Sequence, residues 1–148
     1  MSRTGTERPE LSLEQLASLI DLFPAPSWAH REGLILCANS LAADLLGAGS
    51  PKDLVGRSVL ELTLERDQER IGAVVRVNHA TGKVLTGRPE TLRRVDGGVV
   101  EVELSARSIE CDGRHARVDT AVDQTERNRA QRTAAKTVGL LDFTDNLA

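Results

Sequence analysis

Val118-Asp119-Thr120-Ala121-Val122-Asp123-Gln124-Thr125-Glu126-Arg127-Asn128-Arg129-Ala130-Gln131 reads as a strand that runs straight into a polar helix. Val118, Thr120 and Val122 alternate with Asp119, Ala121 and Asp123, the period of a half-buried strand. Asp123 is positioned to cap the helix, and Glu126, three residues on, to reach back as in a capping box. Both acids suit the positive end of a helix. A sheet edge is thereby joined without slack to a helix too polar for a core, the geometry of an output lever. The competing reading is a C-terminal helix that folds back on its own domain.

Upstream, Asp96-Gly97-Gly98 and Cys111-Asp112-Gly113 are turn signals that divide residues 89–95, 99–109 and 114–123 into three strands. In the middle one Val100, Val102 and Leu104 face in, and Glu101, Glu103 and Ser105 face out. Residues 27–30 and 34–38 form two more strands around Arg31-Glu32-Gly33. Between the two groups, Asn39 caps a short helix over 40–46 that Gly47 closes. Helical turns over 51–55 and 58–62 are broken by Gly56. A longer helix over 67–80, with Ile71, Val74, Val75 and Asn78 inward, ends at Gly82. The first helix, 11–23, has Ser12 as cap with Gln15 three residues on, and Leu13, Leu16, Ile20 and Phe23 on one face. Leu11, Leu19 and Leu22 widen that apolar arc enough to serve a partner as well. The order predicts an α+β fold, a five-stranded antiparallel sheet with short helices on one face, flanked by an N-terminal amphipathic helix and a C-terminal linker helix.

The expected organisation is a disordered lead-in over 1–10, a dimerisation helix over 11–23, a globular domain over 24–124, and a signalling helix and tail over 125–148. A chain of 148 residues, 40% hydrophobic and 28% charged, is one ordinary domain. The absence of an apolar run near ~20 residues, and a polar start unlike a signal peptide, predict a cytoplasmic protein with no membrane contact. A net charge of -3 argues against a nucleic-acid partner, as do scarce aromatics, namely Phe23, Trp28 and Phe143. Cys37 lies in an apolar run and reads as core. Cys111, before a turn, reads as exposed or half-exposed. No His, Cys and acid cluster has metal-ligand spacing, so no metal is expected.

The joints of this order resemble those of PAS domains: Arg31-Glu32-Gly33, Asn39, Leu45-Leu46-Gly47, Leu54-Val55-Gly56, Arg93-Arg94-Val95-Asp96-Gly97, and the closing Asp123-Gln124-Thr125-Glu126-Arg127. The resemblance covers about residues 16–132. It implies a non-catalytic sensor and dimerisation module of bacterial signal transduction, of the kind used in two-component regulation. Such a module holds a small ligand between the long helix and the sheet, or holds nothing and pairs with another domain. By position it makes Asp123, Thr125 and Glu126 the transmission residues and Asn39 a structural cap. The ligand pocket would be lined by Trp28, Ile71, Val74, Val75, Asn78, Val100, Val102, Leu104 and Val118, with Arg76 or Arg93 near the rim.

The departures from the family narrow the cofactor. Flavin-binding light sensors carry a Cys in Asn-Cys-Arg-Phe on a helix, whereas Cys37 lies on a strand. Haem-binding members carry a His early on the long helix, where Ile71 stands, and His79 is at the far end. No cofactor is therefore expected, and a flavin or haem redox sensor is the alternative. A small isomerase-type enzyme would need a His–carboxylate pair inside the pocket. His30 and His115 read as strand-surface residues, and Glu101, Glu103 and Asp119 as outward ones. The expected partners are a second copy, paired in parallel through Leu13, Leu16, Ile20 and Phe23, and an effector domain or regulatory protein in cis or in trans. Ala130, Ala134 and Val138 begin an apolar seam that Gly139 breaks, leaving Leu140, Leu141 and Phe143 as an apolar patch.

Overall fold

Two hairpin turns have the mirror-image geometry that matches strand twist, with Glu32 and Gly33 at φ 51° and 84° and Asp112 and Gly113 at 52° and 73°. They join β1 (Ser27–Arg31) to β2 (Leu34–Ala38), and β4 (Val99–Cys111) to β5 (Arg114–Asp123). With β3 (Val84–Arg93) they form one antiparallel sheet in the order β2-β1-β5-β4-β3. The computed structural model describes residues 11–77 and 84–147, without the side chains of residue 77 and residues 141–147. The lead-in, Asn78, His79 and the expected helix end at Gly82 lie outside the described residues.

β3 begins earlier than the expected 89–95. Gly87, at φ 62°, makes a bulge between Leu85 and Arg88, and the edge position tolerates Pro89, which cannot donate to a ladder. The turn after β3 clasps α2 (Ser40–Leu45): Val95 donates its N–H to Leu46 O at 2.7 Å, and Arg94 donates to Leu45 O at 2.9 Å. Gly47, at φ 71°, closes α2, and a Cβ there would stand 2.7 Å from the Asp96 carboxylate. Short 3-10 turns at Pro51–Asp53, Val59–Leu62 and Glu65–Asp67 lead into α3 (Gln68–Val77).

Both faces of the sheet are covered. On one face, Trp28, Leu92, Val100, Val102 and Ala121 pack against Ala42, Leu46, Leu54 and Leu62. On the other, α1 (Leu13–Asp21) packs Leu16 and Ile20 against Ala29, Cys37, Cys111 and Ala116. Ser12 and Gln15 form the expected capping box, at 3.1 and 3.0 Å. The burial of Leu16 and Ile20 corrects their assignment to a partner face. The sheet fixes which part of the wide apolar arc turns inward, leaving Leu19, Leu22 and Phe23 exposed. Cys111 is likewise buried, because α1 lies over it. α4 (Thr125–Leu147) runs through Gly139 without a break, since one mid-helix glycine costs only ~1 kcal/mol. Val138 and Leu140 on it are exposed, whereas the side chains of Leu141 and Phe143 lie outside those described.

Candidate ligand pocket and output joint

Between α3 and the sheet lies a cavity of about 70 Å³. Trp28, Ile71, Val74, Val75 and Leu104 line it, joined by Val59, Leu62, Thr63 and Leu92. Val100 and Val102 are buried on the same face but pack against α2 and the 3-10 turns without lining the cavity. Val118 is on the opposite face, with Ile109 beneath α1. Its placement corrects the phase assumed for β5, where Arg117, Asp119 and Ala121 point to the cavity side and Val118 away from it. Helices cover both faces there, so alternation alone did not say which set was inward.

The same phase adds to the lining of the cavity a polar group that the strand pattern does not reveal. His30 Nε2 lies 3.1 Å from Asp119 Oδ2, and Arg117 Nε lies 3.4 Å from Asp119 Oδ1. His30 and Asp119 are each 5% exposed, so neither is the surface residue expected. Among the described residues, His30 Nδ1 and Asp119 Oδ1 are buried without a hydrogen-bond partner. Glu90 completes the polar lining, with both oxygens held by Arg70 at 2.9 Å. This pair keeps the Arg70 guanidinium charged well above its ordinary range. The available signal was the register of β1 on β5, which sets Trp28 opposite Asp119 and His30 opposite Arg117.

The cavity between the described residues is small. A volume of about 70 Å³ is far below the roughly 300–1,000 Å³ of pockets for larger ligands. Among the described residues no group of His, Cys and acids could hold a metal ion, and no helix is long and apolar enough to cross a membrane.

At the output end, Asp123 Oδ1 accepts from Thr125 N at 2.9 Å, so the carboxylate caps the start of α4. Glu101 in β4 binds this joint through its backbone, accepting from Gln124 N at 2.8 Å and donating to Thr125 Oγ1 at 3.3 Å. Its carboxylate takes two hydrogen bonds from Arg132, at 3.0 and 3.1 Å. Glu126 stands in the first turn of α4, where its charge meets the positive helix end.

A five-stranded antiparallel sheet with α3 over a small cavity and a polar helix leaving its last strand is the architecture of a sensory α+β module. The PAS fold family matches residues 14–118. The chain belongs to that family. No curated protein matches it. The PAS domain of an HTR-like protein from Haloarcula marismortui superposes with a TM-score of 0.61 at 20% identity, covering 74% of this chain and 89% of that one. A PAS domain from a LuxR-family transcriptional regulator of Burkholderia thailandensis, in complex with ethanol, gives 0.57 at 21% identity, covering 73% and 96%. The PAS domain of a two-component sensor histidine kinase gives 0.55 at 16% identity, covering 74% and 94%.

Proposed function

We propose that the chain is a non-catalytic sensor and dimerisation module of bacterial, cytoplasmic signal transduction. A small molecule entering the cavity beneath α3 changes the strain on the sheet, and the Asp123-x-Thr125 joint passes it to α4. The observation that carries this reading is the cavity itself, largely apolar on its walls and lined also by His30, whose buried Nδ1 has no hydrogen-bond partner among the described residues. Such atoms are costly unless something hydrogen-bonds them. The ethanol held by the Burkholderia domain supports a ligand of similar scale. The receiver is an effector domain or regulatory protein joined through α4. The partner face for a second copy is the exposed Leu19, Leu22 and Phe23 side of α1.

A native mass spectrum of the chain purified without added ligand tests this. A dimer with extra mass is the expected result, and the added mass gives the ligand class. A dimer without it would leave a protein–protein module, and a monomer would remove the dimerisation role.

One observation favours a second reading, a small enzyme using His30 as a base oriented by Asp119. Turnover by the purified chain would be required, and the sensor reading expects none.

A further inference from the structure

We infer that Arg70 and Glu90 form the gate through which a small molecule reaches the cavity. The inference rests on the pocket reading above and gives that pocket its entrance.

Glu90 is the one described residue that lines both the cavity and a second, polar groove of about 250 Å³. Arg66, Asp67 and Arg70 line the groove from the turn and first residues of α3, and Pro89 and Thr91 from β3. The Glu90 side chain is 9% exposed and that of Arg70 44%. The carboxylate therefore lies inward, and the guanidinium meets it from the groove side with two hydrogen bonds of 2.9 Å. Asp67 Oδ1, 3.4 Å from Arg70 Nη2, steadies the fork.

This pair fastens the roof of the cavity to its wall. Ile71, next to Arg70, and Val74 and Val75 one turn on are the apolar residues that α3 sets over the cavity. Glu90 belongs to β3, the edge strand, which has no strand beyond it. A bridge between Thr63 and Leu92 pins β3 two residues further on, so at Glu90 the hold across to α3 is the ion pair. Apolar packing closes the cavity around Trp28, Leu62 and Leu92. An ion pair with one partner partly in water contributes little net stability and opens at small cost. The lining is thus weakest where Arg70 meets Glu90. Glu101 and Asn128 line the same groove, so the entrance opens beside the output joint.

Trp28, the sole tryptophan of the chain, lines the cavity at 3% exposure and senses what passes the gate. The test measures quenching of its fluorescence by acrylamide, a small neutral molecule, in the full chain. Glu90→Gln keeps the side-chain volume and loses the ion pair. Its quenching constant is expected to rise about threefold, the scale of losing a partly exposed pair. In the unmodified chain the constant should climb between about 0.05 M and about 1 M KCl as the pair is screened, and in Glu90→Gln it should ignore salt. Arg57→Ala, which removes the surface pair with Glu61, should leave quenching unchanged. An equal rise in Arg57→Ala would overturn the gate by showing general loosening. Quenching in the unmodified chain that salt does not alter would overturn it too, whether or not Glu90→Gln folds. Failure of the pocket reading looks different: quenching responds as expected, but the native mass spectrum shows no added molecule. The gate then stands and the ligand reading falls.

Discussion

Arg132 reaches back from α4 to Glu101 in β4 with two parallel hydrogen bonds of 3.0 and 3.1 Å, tying the departing helix to the sheet that floors the pocket. Arg132 holds the Glu101 carboxyl below the usual carboxylate range. A carboxyl with a depressed folded value contributes above its unfolded value and loses its contribution as pH falls through the folded one. Protection of the amides over residues 125–135, taken relative to the intrinsic exchange rate at each pH, is therefore expected to fall as pH drops through the carboxylate range. Glu101→Gln should show the lowered protection already at neutral pH, with little further change on acidification. Arg132 is largely exposed and Glu101 partly so, and the melting temperature should therefore move little in either case.

Replacing Asp123 by Ala removes the acceptor of the Thr125 N–H. Loss of such a cap costs about 1 kcal/mol. Circular dichroism is expected to show an intact sheet with a small drop in melting temperature. In a chain fused to its effector, the ligand response should fall while the basal output persists. Global unfolding of Asp123→Ala would count against a transmission role.

How far the fold could be read from the chain differs between local and non-local features. Gly33, Gly47, Gly97 and Gly113 mark turns whose chemistry is contained in a few residues, and the succession of strands along the chain followed from them, though not the pairing of β1 with β5. Asn39 and Ser12 were recognisable as caps for the same reason. The side to which an amphipathic element turns is set by what lies across from it. Leu16, Ile20 and Val118 share one buried cluster formed between α1 and the outer face of the sheet, which no local pattern specifies. For a charged strand residue such as Asp119 the ordinary expectation is an outward position. Its partners, His30 and Arg117, are far from it in sequence or on its own strand at the same face, and only the pairing of β1 with β5 brings all three together.

α1 therefore separates into two sets of side chains with different expected behaviour. Ile20 is wholly buried against the sheet, and Ile20→Ala should cost about 2–5 kcal/mol in denaturant unfolding. Leu16→Glu and Ile20→Glu should prevent folding rather than yield folded monomers. Leu19→Glu and Leu22→Glu, on the exposed side, should keep the melting temperature and shift the solution mass from dimer to monomer. An unchanged mass would move the dimer contact off this helix.

Burial pushes the Cys37 thiol up to about 11, and it raises Cys111 as well. Few thiolates are present at neutral pH, and the thiolate is the reactive form. Both residues lie in the cluster beneath α1. Neither is expected to react with a thiol reagent in the native protein at pH 7, and both should do so when the chain is unfolded. Rapid native labelling would show that α1 opens from the sheet.

Asn39 ties together three parts of the framework of the site through four hydrogen bonds. Its side-chain oxygen accepts from Ser27 N at 3.1 Å and Ala42 N at 2.9 Å, and its amide nitrogen donates to Ile20 O at 3.0 Å and Ala25 O at 2.9 Å. One buried side chain thus joins the end of α1, the start of β1 and the cap of α2. Asn39→Ala leaves several of these backbone groups unpaired in the interior, at an expected cost of about 2–4 kcal/mol. Asn39→Asp keeps the acceptor for Ser27 and Ala42 but loses the donor, and brings a carboxylate against two carbonyls. It should destabilise at neutral pH and recover part of the loss as pH falls and the carboxyl takes up a proton. Denaturant unfolding of the two variants at pH 7 and pH 4.5 checks this, and equal losses at both pH values for Asn39→Asp would show that the amide donor has no such role.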